Sequence, residues 1–344
     1  MMTFRKLSAA ASGAILRKYF TENTPEPSHD LGAEGRQNAD AGGRLTAYYT
    51  GRDSRATWRP DMPFSVARAL GIDPTRPPSD RALDRLFEAK RADTGAAWSD
   101  RPRKISAYDF TVAPHKSVTL AAEFAETPAE AAAIWHAIDR SGDATMRYVA
   151  RELGWARKGI GGEDGADPGA VGWVAFRHHT ARPTLHIQDG PNGPTYLADI
   201  PVPADPHSHT HYVLFNLVVT ENGRIGSLDT QRLHSRVHEF GAYFQARLAT
   251  ELRALGIETA YDKKEEAFVL TAIPQRISDA FSKGRRKREI DARAYAERQG
   301  LVWDDLPIER KHRILQSAGL AERLAKNAGK NDREIWQEQA RALG

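Results

Sequence analysis

The sequence contains no cysteine, which excludes disulfides, thiolate metal ligands and thiol nucleophiles and fits a reducing compartment. It has no uninterrupted apolar stretch near the ~18 residues a membrane helix needs, so no membrane partner is expected. Arg5 and Lys6 followed by a small apolar run mimic a signal peptide. Arg17 and Lys18 come soon after with no cleavage site, so the start reads as folded structure in a cytoplasmic protein. An excess of one charge is also lacking, with 49 Lys and Arg against 45 Asp and Glu and a net charge of +4. That surplus permits a polyanionic partner without demanding one, and where it clusters decides. What is present is 344 residues, 40% hydrophobic and 27% charged. Such a chain can bury a sizeable core and is no disordered, collagenous or fibrous protein.

Periodicity and punctuation predict an order of elements. A short strand opens the chain, a helix follows over Ala9 to Tyr19, and Thr24 to Gly43 reads as a polar loop. Ser79 to Arg91 reads as an amphipathic helix, and Tyr108 to Val112 as a β-favouring run. Thr127-Pro128-Ala129-Glu130 is a capping box with proline at the first helical position, opening a long helix towards Leu153. Residues 159–169 read as a loop, and Val171 to Phe176 and Tyr212 to Val219 as strands. Leu185 to Gln188 and Thr195 to Ala198 flank a Gly/Pro/Asn turn and predict a hairpin. Apolar residues from Leu233 to Leu255 recur at threes and fours, giving a helix over Gln231 to Leu255 stopped by Gly256. From Pro274 the chain is charged and helical. The whole predicts an α+β fold with a helical extension.

The chemistry concentrates in histidines and tyrosines. In Asp205-Pro206-His207-Ser208-His209-Thr210-His211, a strand would point His209 and His211 to one face, with His207 joining if the strand starts early. Phe176-Arg177-His178-His179-Thr180 ends another strand and can supply a third imidazole. Three imidazoles leave coordination positions open for catalysis, and they do not choose among Zn, Mn, Ni and a loosely held Mg. A solvated His-rich turn is the competing reading. Tyr19, Tyr48 and Tyr49 can act as nucleophiles if a base or metal stabilises the phenolate, or can simply pack. Asp109 inside Tyr108 to Val112 needs a partner if buried, and can then orient a metal-bound histidine or accept a proton.

Four separated motifs resemble the relaxase domain of the MobF family of conjugative relaxases, within the HUH endonucleases. Tyr48-Tyr49-Thr50-Gly51 is followed by Trp58 and by Phe64 to Gly71 in the family's order. Asp109 to Val118 (DFTVAPHKSV) resembles the family's DLTFSAPKSVS. Phe176 to Arg182 (FRHHTAR) resembles FxHxTxR, and Asp205 to His211 with Asn216 resembles DPxLHTHxxxxN. Further on, Phe281-Ser282-Lys283 with Arg285 to Ile290 is similar to FSxRRxxI.

The resemblance implies a central antiparallel sheet flanked by helices, a palm like that of relaxases and rolling-circle initiators, with a C-terminal helical clamp. Residues 1–275 would form the relaxase core and 276–344 the basic extension. It implies site- and strand-specific nicking and rejoining at a plasmid origin of transfer through a 5′-phosphotyrosyl intermediate. His178, His209 and His211 would hold a divalent metal, Mg or Mn ahead of Zn or Ni, with His179 or His207 as stand-ins. Tyr19 falls on the initial nucleophile, Tyr48 and Tyr49 on the second tyrosine pair, and Asp109 on the acid near them. Phe20 stands where the family carries the second tyrosine of its first pair. Lys116 and Arg182 would touch DNA.

The densest basic run, Lys283-Gly284-Arg285-Arg286-Lys287-Arg288, reads alone as a solvated helix face; beyond a nicking core it reads as a clamp on phosphates. Trp58, Trp155, Trp173, Trp303 and Trp336 can stack on unpaired bases or pack in the core. The partner implied is single-stranded origin DNA, with relaxosome accessory proteins and a type IV secretion coupling protein, for a monomer of the donor cytoplasm that travels with the DNA if it acts as a pilot. A helicase follows this domain in most of the family. Competing readings are a rolling-circle replication initiator, which usually places its tyrosine after the histidines, and a catalytically silent DNA-binding regulator on the same scaffold.

Overall fold

Why the histidines face one another follows from how five strands pair in a computed structural model. It describes residues 2–21, 56–100, 102–159, 162–180, 185–188, 195–198, 205–233, 236–263, 265–307, 310, 311, 314 and 332–343. The chain divides into two compact units, one of Met1–His178 with Ser208–Ala272 and one of His179–His207 with Ile273–Gly344.

In the first unit the elements follow as β1 (Met2–Ser8), α1 (Gly13–Thr21), β2 (Thr57–Trp58), α2 (Phe64–Leu70), α3 (Asp80–Phe87) and β3 (Ile105–Val112). Then come α4 (Lys116–Glu123), α5 (Pro128–Leu153), β4 (Trp155–Arg157) and β5 (Ala166–Thr180). After the second unit's hairpin, β6 (Leu185–Gln188) and β7 (Thr195–Ala198), the first unit resumes with β8 (Pro206–Thr220) and β9 (Ile225–Gly226). It ends with α6 (Val237–Ala254), β10 (Thr259–Asp262) and β11 (Ala267–Leu270). The large sheet runs β1-β3-β8-β5-β2, with β4 on β5 and β9 on β8. Its β1–β3, β3–β8 and β2–β5 pairings are antiparallel. The fold is therefore the expected α+β class with a central antiparallel sheet flanked by helices.

Strand β8 is apolar on both faces because both are covered. Val213, Phe215, Leu217 and Val219 join Phe20, Val66, Leu83 and Phe87 in one core, so α1, α2 and α3 cover that face. On the opposite face Tyr212 meets α5 at Gly142, where an added Cβ would collide with the phenol, and α5 packs on α6. The capping box is formed as read: the Thr127 hydroxyl accepts the Glu130 N–H at 3.2 Å, and the Glu130 carboxylate accepts the Thr127 N–H at 3.0 Å. Gly256, with φ of 79°, ends the α6 segment in a left-handed turn, its N–H donating to the Arg253 carbonyl at 2.9 Å and the Ile257 N–H to the Leu252 carbonyl at 3.0 Å.

Several expected boundaries differ, and three of the differences have a plain cause. The loop expected at 159–169 ends earlier, because Ala166 to Pro168 already pair with β4 and lengthen β5. The helix expected to reach Arg91 stops at Phe87, since Ala89 adopts a positive φ of 59° and turns the chain. The helix expected from Gln231 is instead a 3-10 turn, Thr230–Leu233, followed by α6.

The second unit contains the β6–β7 hairpin, antiparallel with Leu185 opposite Ala198. It continues with α7 (Gln275–Ala280), α8 (Lys283–Arg298) and α9 (Asp332–Ala342). Ala292, Ala296, Trp303 and Ile314 form its small core. No described helix in either unit is long and apolar enough to cross a membrane.

Candidate metal centre

Strand β8 begins at Pro206, so His209 and His211 lie two residues apart within it and share a face. Strand β5 is its neighbour and carries His178 two residues before its end, on the same side. The three rings form a near-equilateral triangle, with centroids 5.0, 4.9 and 5.2 Å apart. Their ligand nitrogens lie within 4.8 Å of one another. Among the described residues this is the group able to hold a metal ion, and neither His179 nor His207 belongs to it.

The surroundings fit a metal. His178 Nδ1 and His209 Nε2 are 3.3 Å apart, close to the ~3.4 Å that two nitrogens on a tetrahedral ion with ~2.0–2.1 Å bonds would show. His211 Nδ1 lies 2.9 and 3.0 Å from the Asp109 carboxylate oxygens. Donation of Nδ1–H to that carboxylate leaves the Nε2 lone pair for a ligand bond. The Thr111 hydroxyl is 3.1 Å from the same nitrogen, as the register placing Thr111 opposite His211 requires. His178 Nε2 lies 2.8 Å from the Phe20 carbonyl oxygen, and donation there leaves Nδ1 facing His209.

Asp109 is 1% exposed and is also bound by Arg5 Nε at 2.8 Å; Arg5 is its direct partner across β1 and β3. Burial pushes the carboxyl upward, and the contacts from His211 and Arg5 outweigh it, holding the group below the ordinary carboxylate range. The partner that the sequence demanded of Asp109 is thus both a histidine and an arginine.

The other candidate residues are distributed as follows. Tyr19 lies in α1, directly before Phe20; its side chain is outside the described residues, as are Tyr48, Tyr49 and Arg182. Lys116 is the first residue of α4, which His115 caps by accepting the Ser117 N–H. Lys283 opens α8 and is engaged by Asp205, which takes its backbone N–H at 2.8 Å and its ammonium at 3.2 Å. The side chains of Arg285, Arg286, Lys287 and Arg288 lie outside the described residues.

The tryptophans take the packing one of the two roles their sequence left open. Trp58, Trp173, Trp303 and Trp336 are buried, and the ring of Trp155 is covered by the Arg232 guanidinium at 3.9 Å. They serve packing rather than base stacking, because their apolar area is already used within the fold. Asn216 is a structural bracket: its amide donates to the Ile105 carbonyl and accepts the Leu228 N–H, both at 2.9 Å. Sequence reasoning missed Arg5, Thr111 and the contacts of Phe20. The alternation of β1 and β3 held a signal for Arg5, but their register was needed to read it.

Known structures share this fold. The copper-bound complex of conjugative relaxase TrwC with oriT DNA superposes with a TM-score of 0.66 at 21% identity, covering 100% of this chain and 99% of that one. A metal-bound TrwC complex with oriT DNA gives 0.63 at 22% identity, again over 100% and 99% of the two chains. TrwC bound to a 27-mer carrying the recognition hairpin and cleavage site gives 0.62 at 21% identity, with the same coverage. A comparison with curated protein sequences finds no significant match.

The fold is thus that of a conjugative relaxase. The chain belongs to the TrwC relaxase family, whose profile matches residues 16–343. It is thus an enzyme of the relaxase class, and the MobF resemblance seen in the motifs is borne out.

Proposed function

We propose that this relaxase cuts one strand of single-stranded origin DNA by transesterification on Tyr19. The observation that carries the reading is the histidine triad, with Asp109 behind His211 and the Tyr19-bearing helix bonded to His178 through Phe20. The Tyr19 oxygen attacks the scissile phosphorus, a phosphorus–oxygen bond to tyrosine forms, and the bond to the 3′-oxygen breaks. The phenol proton leaves for solvent or a base, and the departing 3′-oxygen ends as a hydroxyl. The phosphate stays esterified to the protein, so reversal rejoins the strand without an energy source.

His178, His209 and His211 would hold the divalent ion, Mg or Mn ahead of Zn or Ni. Such an ion supplies Lewis acidity to the phosphate oxygens and offsets charge in the transition state. Asp109 keeps the His211 ring in one tautomer and orientation, and His211 together with Arg5 holds the Asp109 carboxyl below the ordinary carboxylate range against the upward push of burial. Tyr48 and Tyr49 serve a second strand transfer. Lys116 and Arg182 contact DNA in the core, residues 1–275. Residues 276–344 clamp the strand, with Lys283, Arg285, Arg286, Lys287 and Arg288 on its phosphates. The DNA-bound TrwC complexes support DNA as the partner. The protein acts as a monomer in the donor cytoplasm, with relaxosome accessory proteins and a coupling protein for the secretion channel, and crosses with the DNA if it acts as a conjugative pilot.

The test is incubation with the single-stranded origin of the cognate plasmid and Mg or Mn, followed by mass-spectrometric mapping of the adduct. A DNA–Tyr19 peptide is expected. Binding without any adduct in every divalent metal would establish a silent regulator instead.

A further inference from the structure

Phe20 touches more of the centre than any sequence motif indicated. Its carbonyl is the oxygen 2.8 Å from His178 Nε2. Its fully buried ring meets His211 edge-on at 5.4 Å between centroids and stacks on Phe176 at 5.0 Å. Phe176 lies two residues before His178 on β5, so that stack also fixes the strand delivering His178. On the ring's other contacts, Phe87 lies 5.7 Å away and the Arg5 guanidinium, which binds Asp109, sits 5.5 Å from the centroid. One residue therefore meets two of the three imidazoles and the cation that holds the third party, Asp109. It follows Tyr19 directly in α1.

We infer that Phe20 is a positioning residue that locks the last turn of α1 onto the histidine triad. Ligand orientation and the backbone of the nucleophile are thereby set by the same contacts. The part concerning the nucleophile rests on the reading of Tyr19 given above; the part concerning the ligands does not. The physical reason is rigidity. An imidazole held only by its strand keeps freedom about its side-chain bonds, and an aromatic edge together with a carbonyl acceptor removes it. Removing the ring leaves the carbonyl in the chain but releases the turn that aims it, along with Arg5 and His211.

The test compares Phe20→Ala with Leu86→Ala, a truncation in the same core that serves as a control for lost packing. Manganese affinity is measured by calorimetry on the protein alone, and adduct formation is followed in a single turnover at saturating metal and oligonucleotide. Phe20→Ala should lose roughly 10- to 100-fold in metal affinity, the range for groups that orient metal ligands, and should slow adduct formation with oligonucleotide affinity retained. Leu86→Ala should lower Tm while keeping both. Phe20→Leu, which preserves buried volume without the aromatic edge, should follow Phe20→Ala and replaces it if that variant does not fold. Metal affinity and adduct rate for the Phe20 variants equal to those of Leu86→Ala would overturn the inference. If the parent protein forms no adduct, the nicking reading falls, and the manganese titration still decides the role of Phe20 at the ligands.

Discussion

The Asp109 carboxylate and the His211 imidazole are joined at 2.9 Å across neighbouring strands, with Arg5 completing the chain of contacts at 2.8 Å. This pair places a buried negative charge directly behind a nitrogen that faces two other histidines. Its consequence is that the His211 ring is held in orientation before any ligand arrives.

Asp109→Asn should weaken manganese binding by roughly 10- to 100-fold, since an amide orients the His211 ring less firmly than a carboxylate. Isothermal titration of the metal measures it. Folding stability should also fall, because Arg5 loses its counter-ion. The loss should be smaller than the ~3–5 kcal/mol of a fully buried broken pair, as the Arg5 side chain is 31% exposed. Unchanged metal affinity would remove Asp109 from the centre.

Tyr19→Phe should abolish the first covalent adduct while leaving oligonucleotide affinity intact. Tyr48→Phe and Tyr49→Phe should leave that adduct in place and impair only a second transfer. A gel shift reads binding, and denaturing electrophoresis reads the adduct. If Tyr19→Phe still forms the adduct and one of the other variants does not, the first nucleophile lies in the second pair.

Replacing Arg285, Arg286, Lys287 and Arg288 together by alanine should weaken DNA binding with little regard to sequence. For single strands each phosphate contact contributes a slope of about −0.7 in log affinity against log salt. The slope should therefore become shallower by up to roughly 3 if all four side chains engage phosphates. Fluorescence anisotropy at several salt concentrations gives the answer, and an unaltered slope would take this run off the DNA.

Asp143 supplies a pH test separate from the metal site. Burial pushes its pKa up to about 6, repulsion from Asp139 and Asp61 adds to that, and Arg147 and Arg177 pull the other way. The folded protein thus holds this proton more tightly than the unfolded chain, whose carboxyl titrates near 3.8. Its contribution to stability is greatest below about pH 4 and declines as pH rises to about 6, beyond which the charged form carries the full penalty. Asp143→Asn should remove that decline and raise Tm above pH 6 relative to the parent. Parallel melting curves for the two proteins between pH 4 and 8 would contradict it.

Much of the centre could be read from local pattern. His209 and His211 share a face because strand side chains alternate, and the apolar run after them required a strand. The capping box at Thr127 and Glu130 formed because its donors and acceptors are only three residues apart. Boundaries were less legible where pairing outran composition. Residues Ala166 to Pro168 look like loop by their small and polar character, yet β4 recruits them into the sheet. The tryptophans could not be sorted into core and surface by sequence, because an aromatic ring suits either until its neighbours are known.

The sequence by itself determined the class of fold, the strand face of the histidine pair, the order of the relaxase motifs and the need for a partner to Asp109 if that residue is buried. Tertiary structure alone decided who that partner is and what steadies His178. Arg5 reaches Asp109 across 104 residues of chain, and the Phe20 carbonyl reaches His178 across 158. Contacts at such separations depend on strand register and on how α1 packs over the sheet, which no local periodicity encodes.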